Sequence, residues 1–140
     1  VDEDTGVNFV LMAAEDGLPA AQHAMARIYL TGVGPCAQDK LSGLYWLKQA
    51  AQKQNVKSQV MLGNMLLSGD GVKRNVSMAA SYFLAAARQG SAEAQEVIGQ
   101  MLRSGTGVPA DKAAATVWLE KAADQDNVEA CLALAAMYRQ

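Results

Sequence analysis

Cysteine, histidine and long apolar runs are scarce in this 140-residue sequence, and each scarcity closes off a class of protein. Two cysteines, Cys36 and Cys131, are too few for a disulfide-framed secreted scaffold. Together with the single histidine, His23, they cannot assemble a zinc shell, and the residues around Asp70 and Asn75 do not form a calcium loop. No metal or cofactor is implied. The longest apolar stretches, such as 82–87, fall far short of the ~20 residues a membrane-spanning helix needs, so no membrane insertion is expected. Twelve basic against 14 acidic residues leave a net charge of -2 and no broad positive field, which argues against nucleic acid as a partner. The chain starts at Val1 without a secretory pattern, so a targeting signal is expected to be removed or to lie upstream. Compartment is left open, with a compositional lean toward a bacterial envelope or secreted protein.

With 51% apolar side chains the composition is that of one ordinary domain. At this length roughly two thirds of the unfolded surface can be buried, enough for a core without covalent or metal staples.

An internal repeat dominates the sequence. Ala13-Ala14 recurs as Ala50-Ala51, Ala86-Ala87 and Ala122-Ala123, in steps of 37, 36 and 36 residues. The series Phe9, Trp46, Tyr82, Trp118 keeps the same steps, and the pair Gly32/Gly34 recurs as Gly69/Gly71 and Gly105/Gly107. Three independent residue types in one register define a repeat architecture. The extra residue of the first step falls near Pro35 to Gln38, in a loop, where a length change is tolerated.

Each period holds two helical stretches. One set, the A helices, runs near Ala20–Thr31, Val56–Ser68, Ala92–Ser104 and Val128–Gln140, with apolar residues at helical spacing. The other, the B helices, runs near Asp2–Asp16, Asp39–Lys53, Asn75–Gln89 and Asp111–Gln125, each opening on an Asp or Asn suited to cap the first turn. Gly17 and Gly90 end B helices, with Gln54 and Asp126 at the same register elsewhere. No alternation of apolar and polar residues is long enough for a sheet. The domain expected is a single solenoid over 1–140: a B helix at 1–16, repeats at 20–53, 56–89 and 92–125, and an A helix at 128–140. Gly63 and Gly99 sit in mid-helix, where glycine costs about 1 kcal/mol against alanine. A close helix approach beneath Trp46, Tyr82 or Trp118 is expected to offset that cost.

The stretch Ala94, Ile98-Gly99, Leu102, Gly105, Gly107-Val108, Asp111, Ala114, Trp118, Lys121-Ala122-Ala123 resembles the Sel-1-like repeat, a branch of the tetratricopeptide-type helical solenoids. The resemblance covers nearly the whole chain. It implies an all-α fold, a right-handed αα superhelix of helix-turn-helix repeats, and an adaptor or scaffold role. Pro35, Leu66 and Leu102 depart from the usual residues. Some secreted relatives carry a cysteine pair in every repeat and this chain does not; Cys36 and Cys131 are almost three repeats apart, too far to bridge. Cys131 is expected to be buried, as free cysteine tends to be.

Enzyme motifs are missing. No serine or cysteine stands in a nucleophile elbow, and neither Ser-x-x-Lys nor Lys-Thr-Gly occurs. The glycine pairs lack the strand and lysine of a phosphate loop. Asn75-Val76-Ser77 matches a glycosylation acceptor, but Asn75 also holds the cap register of Asp39 and Asp111. The recurrent aromatics are expected in the core between repeats. The reading is non-catalytic, with no catalytic residue assigned.

Stacked hairpins make an extended superhelix whose concave side is the usual recognition surface, and the resemblance implies that A helices line it. If Ile98-Gly99 and Leu102 pack inward, Glu96, Gln100 and Arg103 form the adjacent stripe. Its equivalents are His23, Arg27 and Leu30, and then Val60, Asn64 and Leu67, with Leu132, Ala136 and Arg139 on the last helix. Amides that bond a backbone, arginines that meet carboxylates and leucines that take an apolar anchor suit a protein or peptide partner. A spacer or self-associating segment, joined through uncapped ends, is the alternative.

Overall fold

The computed structural model describes residues 3–31 and 39–139. These residues form eight α-helices: α1 (Glu3–Glu15), α2 (Pro19–Thr31), α3 (Lys40–Gln52), α4 (Val56–Ser68), α5 (Val76–Arg88), α6 (Ala92–Ser104), α7 (Lys112–Ala123) and α8 (Val128–Tyr138). No strand occurs among the described residues. The even-numbered helices are the A set and the odd-numbered ones the B set. The turn containing Gly32 and Gly34, the insertion at 35–38 and Cys36 lie outside the described residues.

Side-chain caps set where the helices begin. Asp39, Asn75 and Asp111 accept from backbone N–H groups of the first turns of α3, α5 and α7, at 3.1 Å or less from Leu41, Met78 and Ala114. Asn55, Ser91 and Asn127 do the same for α4, α6 and α8, a second set of caps that the repeat spacing had not singled out. Each such cap is worth about 1 kcal/mol over alanine. Helices α4 and α6 end at Gly69 and Gly105, whose φ of 78° and 77° lie in the left-handed region that glycine enters without strain.

Successive helices pack in chain order, so the hairpins stack as an all-α repeat solenoid. At each described crossing of an A helix with the B helix after it a glycine stands at the contact: Gly43 of α3, Gly63 of α4 and Gly99 of α6. Ala26 meets Gly43 across α2 and α3, and Gly99 meets Ala115 across α6 and α7, each glycine's missing Cβ lying 3.2 Å and 3.4 Å from the partner's carbonyl oxygen. Leu30 of α2 lies over Gly43, whereas the side chain above Gly63 and above Gly99 comes from one residue beyond the expected aromatic series. A Cβ on Gly63 would stand 2.8 Å from the Phe83 ring, and one on Gly99 would stand 2.7 Å from Leu119 Cγ.

Leu47, Phe83 and Leu119 are therefore the fully buried knobs of successive B helices. Trp46, Tyr82 and Trp118 are only half-buried and pack against the core from its margin. One helical step of about 100° separates the two series, which takes the aromatics off the line of closest approach. Phe9, at the same register on α1, is 67% exposed, and no described A helix covers that face.

A ladder of glutamines links the hairpins. Gln22, Gln59 and Gln95 are buried on α2, α4 and α6, and each Nε2 donates to the last alanine carbonyl of the preceding B helix: Ala14 at 3.1 Å, Ala51 at 3.2 Å and Ala87 at 3.1 Å. The amide oxygens of Gln59 and Gln95 accept in turn from Gln89 and Gln125, both at 2.9 Å, at the ends of α5 and α7. Lys53 holds that place at the end of α3. Its ammonium goes to the Gly17 carbonyl at 2.9 Å, leaving Gln22 Oε1 buried without a partner. Cys131 takes the glutamine register on α8 and is exposed rather than buried, because no described helix follows to cover it.

Two stability measurements check this packing. Gly99→Ala should lower stability by about 1–2 kcal/mol in chemical denaturation despite the ~1 kcal/mol propensity gain, because overpacking against Leu119 outweighs it. In a Leu119→Ala background the same substitution should cost nothing further, and a gain in the wild-type background would show that Leu119 gives way. Lys53→Gln should raise stability by about 1 kcal/mol by supplying Gln22 Oε1 with a donor; an unchanged midpoint would show that solvent already satisfies it.

Candidate functional site

The A helices repeat every other helix, so residues on their outer faces line up from hairpin to hairpin. Between α2 and α4, reaching Ser91 and Glu93 at the start of α6, lies a groove of about 500 Å³. Val60, Met61 and Met65 form its apolar floor, while Arg27, Lys57 and Asn64 stand on its walls. Among the described residues Arg27 has no acidic partner and the Asn64 amide has no hydrogen-bond partner. An adjoining hollow of about 290 Å³ is lined by Leu30 and Lys40 and shares Met61, Met65 and Asp70 with the groove. There Lys40 and Asp70 pair at 3.1 Å, an exposed contact worth little by itself.

His23 ties the two walls together. Its Nδ1 lies 2.8 Å from Ser58 Oγ, and the Ser58 hydroxyl donates to Asn55 Oδ1 at 2.9 Å. A hydroxyl has one proton, so the imidazole must donate from Nδ1, which leaves Nε2 as an acceptor. Burial, then the positive charges of Arg27 and Lys57, hold the imidazole below its ordinary pKa of 6.5. A serine beside a histidine invites a catalytic reading, but Ser58 is wholly buried and its proton is committed to the helix cap. A substrate has no access to it.

The charge along this face changes sign. Arg27 and Lys57 sit at the α2–α4 end. At the other end burial, then Glu129 and Glu93, raise the Glu96 carboxyl above its usual range, so three carboxylates share the α6–α8 surface. A polar segment lying along the face would therefore meet cations first and carboxylates last.

Of the residues singled out from the repeat register, His23, Arg27, Val60 and Asn64 line the groove and Leu30 lines the hollow beside it. Val60 is buried in the floor. Glu96, Gln100 and Arg103 lie along α6 outside both cavities, with Arg103 donating to Gln100 at 3.4 Å. Leu67 packs half-buried against the core. Lys57, Met61, Met65 and Glu93 also line the groove and had not been singled out. For Lys57, Met61 and Met65 the signal is helical geometry: positions three and four apart share a face, so 57, 61, 64, 65 and 68 form one band with 60, whereas Glu93 on α6 reaches the groove only through the packing of the hairpins.

Among the described residues no cluster of three or more His, Cys, Asp or Glu side chains could hold a metal ion, and no helix is long and apolar enough to cross a membrane.

A depressed imidazole pKa means that the unfolded chain binds the proton more tightly. Stability should therefore fall as the pH drops through 6.5 toward the folded value, and level off below it. Chemical denaturation between about pH 7.5 and about pH 5 should show this slope in the wild-type chain and lose it in His23→Gln. An identical slope in both would remove His23 as its source.

Comparison with known proteins places these features in a wider set. The sequence model of the Sel1 repeat matches residues 19–55, 56–91 and 92–127. A Sel1 repeat protein from Oxalobacter formigenes is similar at 38% identity and a TM-score of 0.90, over 94% of this chain and 38% of that one. A protective antigen present in uropathogenic Escherichia coli strains, displaying an SLR fold, is similar at 27% identity and a TM-score of 0.81, over 89% of this chain and 26% of that one. Helicobacter pylori cysteine rich protein B shares the fold, at 21% identity and a TM-score of 0.67, with 91% of each chain covered. The chain thus spans well under half the length of the first two. No curated protein matches the sequence.

Proposed function

The chain belongs to the Sel1 repeat family, whose members are generally protein-interaction scaffolds, and from that premise we propose that it binds a partner protein or peptide through the A-helix groove. The observation that carries this reading is the groove itself: an apolar floor with an unpartnered amide and unpaired cations on its walls. An extended segment or partner helix would set an apolar residue on Val60, Met61 and Met65, whose flexible thioethers adapt to its shape. Arg27 and Lys57 would meet its carboxylates, Asn64 its backbone, and Leu30 a second apolar contact. Glu96, Gln100 and Arg103 would extend the surface along α6, so that the change of charge sign fixes the direction in which the segment lies.

A second reading, self-association, is favoured by α8. Val128, Leu132 and Tyr138 are exposed by 67%, 59% and 71% on the A helix that no described B helix follows.

The test is affinity for a partner segment recovered by pull-down. Arg27→Ala and Asn64→Ala should each weaken it by about tenfold, since losing a charge-assisted or buried hydrogen bond costs on the order of 1.5 kcal/mol, with helical content unchanged. Unchanged binding in both variants would remove the groove. Light scattering of the same samples separates the second reading, which a constant monomer mass across concentration would exclude.

A further inference from the structure

Internal repeats make the chain its own comparison. A position that keeps its residue type serves the fold, whereas one that changes is released from that demand. On the side of α4 turned away from the groove, a second cavity of about 410 Å³ lies between α3, α4 and the loop entering α5. It shares no residue with the groove. Leu44, Leu62, Leu66 and Val72 form its floor, and Met78 stands at its mouth. Leu62, Leu66 and Val72 recur one repeat on as Ile98, Leu102 and Val108, so most of this floor belongs to the repeat.

The rim does not. Lys48, Lys73 and Arg74 surround the cavity, and one repeat on the same positions hold Leu84, Pro109 and Ala110. The hairpin does not need cations there. Among the described residues none of the three meets an acidic side chain, and no carboxylate lines the cavity. Arg74 donates from Nε to the Leu67 carbonyl at 3.0 Å, which holds its guanidinium at the edge. Three unpaired cations thus gather around one apolar hollow in a chain whose net charge is -2.

Ligand cavities generally measure about 300–1,000 Å³, with an apolar lining and a few placed polar groups. This one holds roughly a dozen water volumes, which suits a short acyl chain or a ring system and not a whole helix. We propose that it is a binding site for a small anionic amphiphile, its apolar body against Leu44, Leu62, Leu66 and Val72 and its carboxylate among Lys48, Lys73 and Arg74. The carboxylate supplies the charge the rim lacks, and apolar burial supplies the remaining affinity.

Titration calorimetry on the whole chain, with octanoate below its micellar concentration, tests the assignment. Saturable one-to-one binding that weakens with added salt is expected, with acetate and octyltrimethylammonium weaker by about tenfold or more. Lys48 and Lys73 are exposed, so Lys48→Glu and Lys73→Glu should keep the helical circular dichroism while each lowers octanoate affinity about tenfold. Arg27→Ala, in the groove, should leave octanoate binding unchanged. Absence of saturable binding, equal affinity for the cationic amphiphile, or unchanged affinity in both charge-reversal variants would overturn the proposal. So would an acidic peptide that binds this cavity when octanoate does not, since the site would then belong to a polypeptide.

Discussion

The close crossing of each A helix with the B helix that follows it is the constraint from which the rest of the structure proceeds. A small pair meets at that point where Gly43 of α3 faces Ala26 and Gly99 of α6 faces Ala115, and Gly63 of α4 makes room for the Phe83 ring in the repeat between them. A bulky pair there would push the helix axes apart. With the small pair in place, Leu47, Phe83 and Leu119 are drawn fully inside, and the rotation of every helix about its own axis is set. That rotation decides which side chains remain outside, and so where a partner can reach the protein.

Polar contacts supply what close packing does not. Apolar surfaces slide, whereas Gln59 and Gln95 can satisfy both a carbonyl behind them and an amide ahead of them in only one arrangement of neighbouring hairpins. The ladder therefore orients hairpin on hairpin. Its first step is imperfect, since Lys53 cannot do the work of Gln89 or Gln125. The end helices show what the stack provides elsewhere: Cys131 holds the register of the buried Gln59 and Gln95 and Phe9 that of the half-buried Trp46, yet both are exposed, because no further described helix covers that side.

The repeat builds a scaffold, and departures from the repeat give it chemistry. On the groove side of α4 the cations Arg27 and Lys57 face an apolar floor that leads toward the carboxylates of α6 and α8. On its other side Lys48, Lys73 and Arg74 surround a separate hollow. Two surfaces of different character on opposite faces of one helix are open to a solenoid because each helix is shared between only two neighbours, which leaves more of its circumference free than in a globular core.

The sequence by itself determined the repeat, the eight helices, the Asp39, Asn75 and Asp111 caps and the absence of enzyme motifs, because periodicity and capping act between residues close in the chain. It also assigned His23, Arg27, Val60 and Asn64 to the face that carries the groove, with Leu30 in the hollow beside it, since register alone assigns a residue to a helix face. The width of that face was legible only in part, so Lys57, Met61 and Met65 were passed over. Tertiary structure alone decided that Phe83 and Leu119, not Tyr82 and Trp118, cover the glycines, and that Leu67 turns to the core. It alone brought His23 to Ser58 and the glutamines to one another across about 30 to 35 residues. Such contacts depend on the angle at which one helix meets the next, and that angle comes from the volumes of side chains on both helices at once, which no single stretch of sequence contains.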